Sequence, residues 1–258
     1  MLVDMHLHSD FSVDADDTME AMCEKAVELG LKGICFTEHM DMNPRDPAYD
    51  YFNLNSYLEA VKNIEAQYKD KLMVLGGVEY NRPQLYAETL KEVRKSEVDV
   101  ILGSIHWMDQ MMFGSGDIVK KYSPGNIFTR YYDIMKTMVS EGEFDVLSHL
   151  DYPKRYIKEK VESHNYKDVI KEILEILIKK DIALEINTAS LRKDFEESMP
   201  GPKILRLYQD LGGKKVTLGS DAHRVSEIAA NFEYGLQLVD KYNFTYGYFK
   251  DRKFVQLN

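Results

Sequence analysis

Apolar positions in this chain gather into short, nearly continuous runs separated by longer amphipathic stretches. The runs are LVDMHLH (2–8), GICFTEH (33–39), LMVLGGVE (72–79), VILGSIH (100–106), FDVLSHL (144–150), IALEIN (182–187) and KVTLGSD (215–221). Runs of this kind suit parallel strands covered on both faces, whereas half-exposed strands alternate apolar and polar residues. Between them lie helical signals. DDTMEAMCEKAVELG offers Thr18 as N-cap and Gly30 as stop, with Asp16 and Asp17 just ahead of the first turn, where negative charge is favoured. In NSYLEAVKNIEAQYKD, Leu58, Val61, Ile64 and Tyr68 recur every three or four residues, and KDVIKEILEILIKKD and PKILRLYQDLGG behave likewise. Seven strand–helix repeats predict an α/β fold and point to a barrel rather than an open sheet, with order alone leaving a doubly wound fold open.

Three connections are long: 40–53, 107–124 and 151–164. All follow strand C-terminal ends, the face on which barrels place their sites, and long loops in a compact domain are functional or disordered. The loop 107–124 reads equally as a lid or as a surface excursion packed on its own apolar residues. With no linker, repeat or low-complexity segment, residues 1–258 read as one domain.

Composition narrows the function. The net charge of -10 and the lack of a basic stripe disfavour nucleic-acid binding. No apolar run approaches the length of a membrane span, and no leader peptide is visible. Two cysteines, Cys23 and Cys35, in element interiors suit a reducing cytoplasm. The oligomeric state stays open.

The histidines carry the strongest signal. Of seven, six fall at or just past a strand C-terminus: His6, His8, His39, His106, His149 and His223. His164, in a charged stretch before a helix, reads as solvated surface. Glu79 ends the third strand, Asp221 precedes His223 by two, and Glu38 precedes His39. In a closed parallel barrel these strand ends converge on one rim. Any one of them alone is an ordinary core or rim residue, but six together with two acids read as a metal site. Imidazole with carboxylate suits zinc, manganese or iron, and the donors are too many for one ion, so two to three divalent ions are expected.

HLHSDFS, FTEH, the strand-end Glu79, GSIHW, SHLDYPKR and GSDAH together resemble the polymerase-and-histidinol-phosphatase (PHP) superfamily across residues 4–223. GSIHW, EINTASLRK and the chain length resemble its monofunctional histidinol-phosphatase branch. The resemblance implies a distorted (β/α)7 TIM-like barrel with a three-metal site at the C-terminal rim. One ion would take His6, His8, Glu79 and Asp221; a second Glu79, His106 and His149; a third His39, His223 and Asp14. Asp14 stands where some members have histidine, and its harder oxygen tilts that site toward manganese or iron. The pattern also implies that Arg155 and Arg192 bind phosphate, for which planar guanidinium forks are suited.

The implied activity is hydrolysis of a small-molecule phosphate monoester, L-histidinol phosphate, by a metal-bridging hydroxide. Glu79, Asp221, His223, Arg155 and Arg192 are then the catalytic residues. The acid that protonates the leaving alkoxide stays open between a metal-bound water, His223 and an aspartate. Within the superfamily, phosphotyrosine and nucleotide phosphoesterases need the same ligands. An amidohydrolase barrel also begins with HxH but commonly adds a strand-end lysine not found here. A closed structural metal module would be more compact than these dispersed ligands.

Overall fold

All seven apolar runs become strands, and all seven are parallel, as expected of segments that must be covered on both faces. The computed structural model describes residues 1–157, 163–193 and 196–257. In chain order the strands are β1 (Val3–Leu7), β2 (Gly33–Met40), β3 (Met73–Asn81), β4 (Val100–Ser104), β5 (Val146–Leu147), β6 (Ala183–Asn187) and β7 (Lys215–Gly219). They lie in that spatial order, each beside the next, in the arrangement of a (β/α)7 barrel. The fifth is the shortest, only two residues of the 144–150 run keeping ladder pairing.

The connecting helices are α1 (Met19–Glu28), α2 (Leu54–Tyr68), α3 (Ala87–Lys95), α4 (Asp117–Lys121), α5 (Pro124–Glu141), α6 (Lys167–Lys179), α7 (Pro202–Asp210) and α8 (Phe232–Lys241). Thr18 caps α1 by accepting from the Ala21 N–H at 3.3 Å. Gly30 ends it in the left-handed region at φ 69°, which glycine enters without strain. Tyr57 of α2 is fully buried, and its hydroxyl donates to Phe36 O (2.7 Å) and accepts from Gly77 N–H (3.0 Å), pinning α2 across β2 and β3.

The long loops acquire structure of their own. In 107–124, Trp107–Met108 and Met111–Met112 form a two-residue hairpin, followed by the short α4. The start of 151–164 is a 3-10 turn, Tyr152–Arg155; residues 158–162 and the side chain of His164 lie outside the described residues.

Besides that hairpin, two further strands were not anticipated: β8 (Thr245–Lys250), parallel to β7, and β9 (Lys253–Gln256), antiparallel to β8. They account for the distortion of the barrel. At the C-terminal end the seam closes directly, since Asp221 N–H donates to His6 O (2.7 Å) and His8 N–H to Ala222 O (2.8 Å). At the N-terminal end β8 stands between β7 and β1. The Tyr246 hydroxyl donates to Val3 O (2.7 Å) and accepts from Val3 N–H (2.9 Å). The turn between β8 and β9 passes beneath the starts of β4 and β5. There Asp99 accepts from Asp251 N–H (3.0 Å), and Arg252 pairs with Asp145. The upper seam holds the site; the lower one is sealed by a hairpin.

Candidate metal centre

His6 and His8, one residue apart on β1, point the same way as strand alternation requires, and both are fully buried in the barrel mouth. His39 is the penultimate residue of β2, Glu79 lies two residues before the end of β3, and His106, His149, Asp221 and His223 follow β4, β5 and β7. The sheet register sets His39 beside Glu79.

Glu79 is the hub. Its Oε1 lies 2.8 Å from His149 Nε2 and 3.2 Å from His106 Nε2. Its Oε2 lies 3.0 Å from His39 Nδ1, 3.5 Å from His6 Nε2 and 3.7 Å from His8 Nε2. Burial alone would raise this carboxyl, but the surrounding imidazoles, His106 and His6 foremost, hold it well below the usual range.

Three groupings emerge. The first comprises His6 Nε2, His8 Nε2, Glu79 Oε2 and Asp221 Oδ1. His6 and His8 are 3.2 Å apart, and each stands 3.5–3.9 Å from the two carboxylates. A tetrahedral ion with bonds of about 2.1 Å needs donor separations of roughly 3.4 Å, which this set approaches on five edges. In the second, His106 and His149 converge on Glu79 Oε1, with His39 also within coordinating reach of Glu79 and His106. In the third, Asp14 offers one oxygen to His39 Nε2 and the other to His223 Nε2, both at 3.4 Å, and those two nitrogens are 3.4 Å apart. His8 stacks between the His39 and His223 rings at 4.2 and 4.3 Å, so it can join either the first or the third group.

Proton positions follow from the outer contacts. His6 Nδ1 sits 2.6 Å from Glu185 Oε1, so Nδ1 carries a proton donated to that carboxylate. The Ser12 hydroxyl donates to Glu38 Oε2 (2.5 Å), so its oxygen accepts from His8 Nδ1 (3.1 Å). His223 Nδ1 donates to the Asp221 carbonyl (3.1 Å). In each case the Nε2 lone pair is left facing inward, the arrangement in which metal-binding histidines are fixed by an outer acceptor. Lone pairs of His6 and His8 at 3.2 Å repel unless a cation, proton or metal, lies between them. Burial opposes charge on both rings, yet Glu185, Glu79 and Asp221 raise His6 well above the ordinary histidine range. His39, His223 and His6 add to burial in holding His8 well below it.

Glu185 carries no role in the sequence reading, although a lone acid in the apolar run IALEIN signals it. Its second oxygen accepts the His149 N–H at 2.7 Å, so it braces ligands on two strands. Gly219 makes room for it: a Cβ there would come within 2.2 Å of Glu185 Oε1 and 2.6 Å of His6 Cβ. Ser12, Glu38 and Asn81 are further braces, the last accepting the His106 N–H at 2.9 Å. Asp221 itself occupies the left-handed region at φ 54°, with its N–H on His6 O and its carbonyl accepting from Arg192 Nη2 (2.9 Å).

The two arginines differ. Arg155 lines the cavity, 3.3 Å from Asp221 Oδ2, with a buried Nε that has no hydrogen-bond partner. Arg192 directs its terminal nitrogens to the Ser220 and Asp221 carbonyls at 2.5 and 2.9 Å and its Nε toward Glu227 at 3.4 Å. The cavity over the histidines holds about 490 Å³ and includes Met112, Phe113, Tyr152 and Tyr156 in its walls. Cys23 and Cys35 are free and buried outside it; burial, aided by Glu20, pushes the Cys23 thiol up to about 12. Neither is placed or ionised to serve as a nucleophile.

The PHP domain model matches residues 4–189. A Clostridium acetobutylicum protein named "Probable histidinol-phosphatase" is 31% identical, with 98% of each chain covered. One of the same name from Thermotoga maritima is 30% identical over 95% of this chain and 94% of its own. The crystal structure of histidinol phosphate phosphatase from Lactococcus lactis, complexed with zinc, L-histidinol and phosphate, superposes with a TM-score of 0.89. It is 26% identical, and 98% of each chain is covered.

Proposed function

The chain belongs to the PHP domain family, and from that premise we propose that it is a metal-dependent phosphomonoester hydrolase that converts L-histidinol phosphate and water to L-histidinol and phosphate. The observation that carries this reading is the convergence of the Nε2 atoms of His6, His8, His106 and His149 on the Glu79 carboxylate, beside the His6–His8 and His39–His223 nitrogen pairs at 3.2 and 3.4 Å, a donor set suited to divalent cations. The Lactococcus lactis relative, bound to zinc, L-histidinol and phosphate, supports the choice of substrate.

We assign up to three divalent ions, zinc, manganese or iron, to these residues. His6, His8, Glu79 and Asp221 would hold one; Glu79, His106 and His149 a second; His39, His223 and Asp14 a third. When bound, such ions polarise phosphoryl oxygens and lower the pKa of a coordinated water toward neutrality. The protein's part is to place everything else. Arg155, free at Nε and facing the cavity, receives a phosphate oxygen beside Asp221. Arg192, with its terminal nitrogens on the Ser220 and Asp221 carbonyls and its Nε toward Glu227, acts on the site by fixing the backbone of Asp221. Fixed donors aimed at the developing equatorial charge need no reorganisation during the reaction. Residues 1–258 act as one catalytic domain, and the buried free thiols accord with a cytoplasmic location. Among the described residues no helix is long and apolar enough to cross a membrane.

A phosphate-release panel of L-histidinol phosphate, phosphotyrosine and nucleotides tests the reading, run with purified protein of measured metal content. Histidinol phosphate should be the preferred substrate, with activity lost on chelation and restored by zinc or manganese. Activity that survives exhaustive chelation, or amide hydrolysis without phosphate release, overturns it. Arg155→Ala should raise KM by roughly tenfold or more, as expected on losing a charge-assisted hydrogen bond. Arg192→Ala should lower kcat as well, because it also frees the backbone of Asp221.

A further inference from the structure

Lys154 and Arg155 are neighbours in the turn Tyr152–Arg155, yet they meet different surroundings. A 3-10 turn has three residues per turn, so adjacent side chains diverge by about 120°. Arg155 faces the cavity beside Asp221, with its guanidinium carbon 5.9 Å from the centre of the Tyr152 ring. Lys154 turns instead toward the segment 197–201. Its Nζ donates to Ser198 O (2.5 Å), Asp151 Oδ2 (2.8 Å) and Glu197 Oε1 (3.2 Å). An ammonium has three N–H groups, and these acceptors engage all of them, leaving none for a substrate. The Lys154 and Asp151 side chains are only 13% and 8% exposed, so losing either partner would strand a nearly buried charge.

The segment that Lys154 grips also supports the turn of the second arginine. Glu197 O accepts from the Ser190 hydroxyl (2.6 Å), and Ser190 belongs to the turn Ala189–Arg192. Met199 exchanges two main-chain bonds with Asn187 at the end of β6, both 2.9 Å. Asp151 Oδ2 accepts the Gly201 N–H as well (3.1 Å). Residues 197–201 thus brace two turns, each of which ends in an arginine at the rim. On the Arg155 side the brace is ionic and centres on one ammonium. Recognition of an anion by a guanidinium depends on its direction as well as its charge, so the anchor of this turn bears on what Arg155 can hold.

We propose that Lys154 is a positioning residue for phosphate binding, its contacts with Asp151, Glu197 and Ser198 setting the turn from which Arg155 reaches the phosphoryl group. This inference rests on the phosphatase reading and on the place of Arg155 in it, and adds the residue that aims the guanidinium.

A double-mutant cycle on metal-loaded enzyme tests it. Wild type, Lys154→Met, Arg155→Ala and the double variant are assayed on L-histidinol phosphate, with inorganic phosphate as inhibitor. Lys154→Met should raise KM and the phosphate inhibition constant together, by roughly 3- to 10-fold, with kcat and metal content retained. In the Arg155→Ala background the same change should move neither by more than about twofold, because the group it aims is gone. Equal losses in both backgrounds mark a general structural role and overturn the proposal, as does an unchanged KM in Lys154→Met. Pairing Lys154→Met with Asp151→Asn leaves no buried carboxylate unpaired and keeps an acceptor for Gly201, so that variant decides the matter where the single one folds poorly. A wild type that releases no phosphate defeats the phosphatase reading instead.

Discussion

The two ends of this barrel solve the same closure problem with opposite materials. At the C-terminal rim the first and seventh strands meet through main-chain bonds at His6–Asp221 and His8–Ala222, and the surrounding side chains are buried acids and imidazoles. At the base they are kept apart by β8 and joined through one tyrosine hydroxyl, amid apolar and aromatic packing. Burying charge is costly unless every group is paired or neutralised, so the rim is under chemical constraint, whereas the base, with the Arg252–Asp145 pair at its turn, is held mainly by packing. Substitutions at the rim should therefore change chemistry, and substitutions at the base should change stability.

The largest effect is expected at Glu79, which reaches five histidines. Glu79→Gln should lower kcat by more than the roughly 100-fold that marks the loss of an outer-shell partner, and elemental analysis should find less than the wild-type metal content. Full metal content with near-normal turnover would break the assignment. Gly219→Ala should come next. Its Cβ displaces Glu185 from His6, so metal affinity measured against a competing chelator should fall by about 10- to 100-fold while the fold is retained. At the base, Tyr246→Phe should be the mildest. Loss of its paired hydrogen bonds should cost about 1–3 kcal/mol in denaturant unfolding, with kcat unchanged. A Tyr246→Phe enzyme with normal stability and impaired turnover would invert the contrast between the two ends.

The same contrast explains what was legible in the sequence. His6, His8, His39, Glu79, His106, His149, Asp221 and His223 stood out because each interrupts or ends an apolar run, and the barrel order brings them together. The seven strands followed from the same runs. Glu185 was missed because a single acid within IALEIN has no partner nearby in the chain; its meaning lies in His6, far away in sequence. The β8–β9 hairpin was missed for a different reason. Its turn is Asp251–Arg252, both with positive φ (50° and 62°), where the recognisable signal for such a turn is a glycine. The difference between Arg155 and Arg192 lay beyond sequence, since both follow strand ends and only packing decides which nitrogens stay free.

The seam between the first and last barrel strands also fixes an order of events. His6 and His8 emerge early in synthesis, but Asp221, which bonds His6, and Tyr246, which bonds Val3 on the same strand, come more than two hundred residues later. Such distant pairings carry a high loop-closure cost and form late. A nascent chain lacking them presents two histidines on an unsealed strand, without the carboxylate or outer brace that would make them a selective binding site. On the proposed metal-centre reading, ion capture is thus tied to completion of the ring, as one of the last acts of folding.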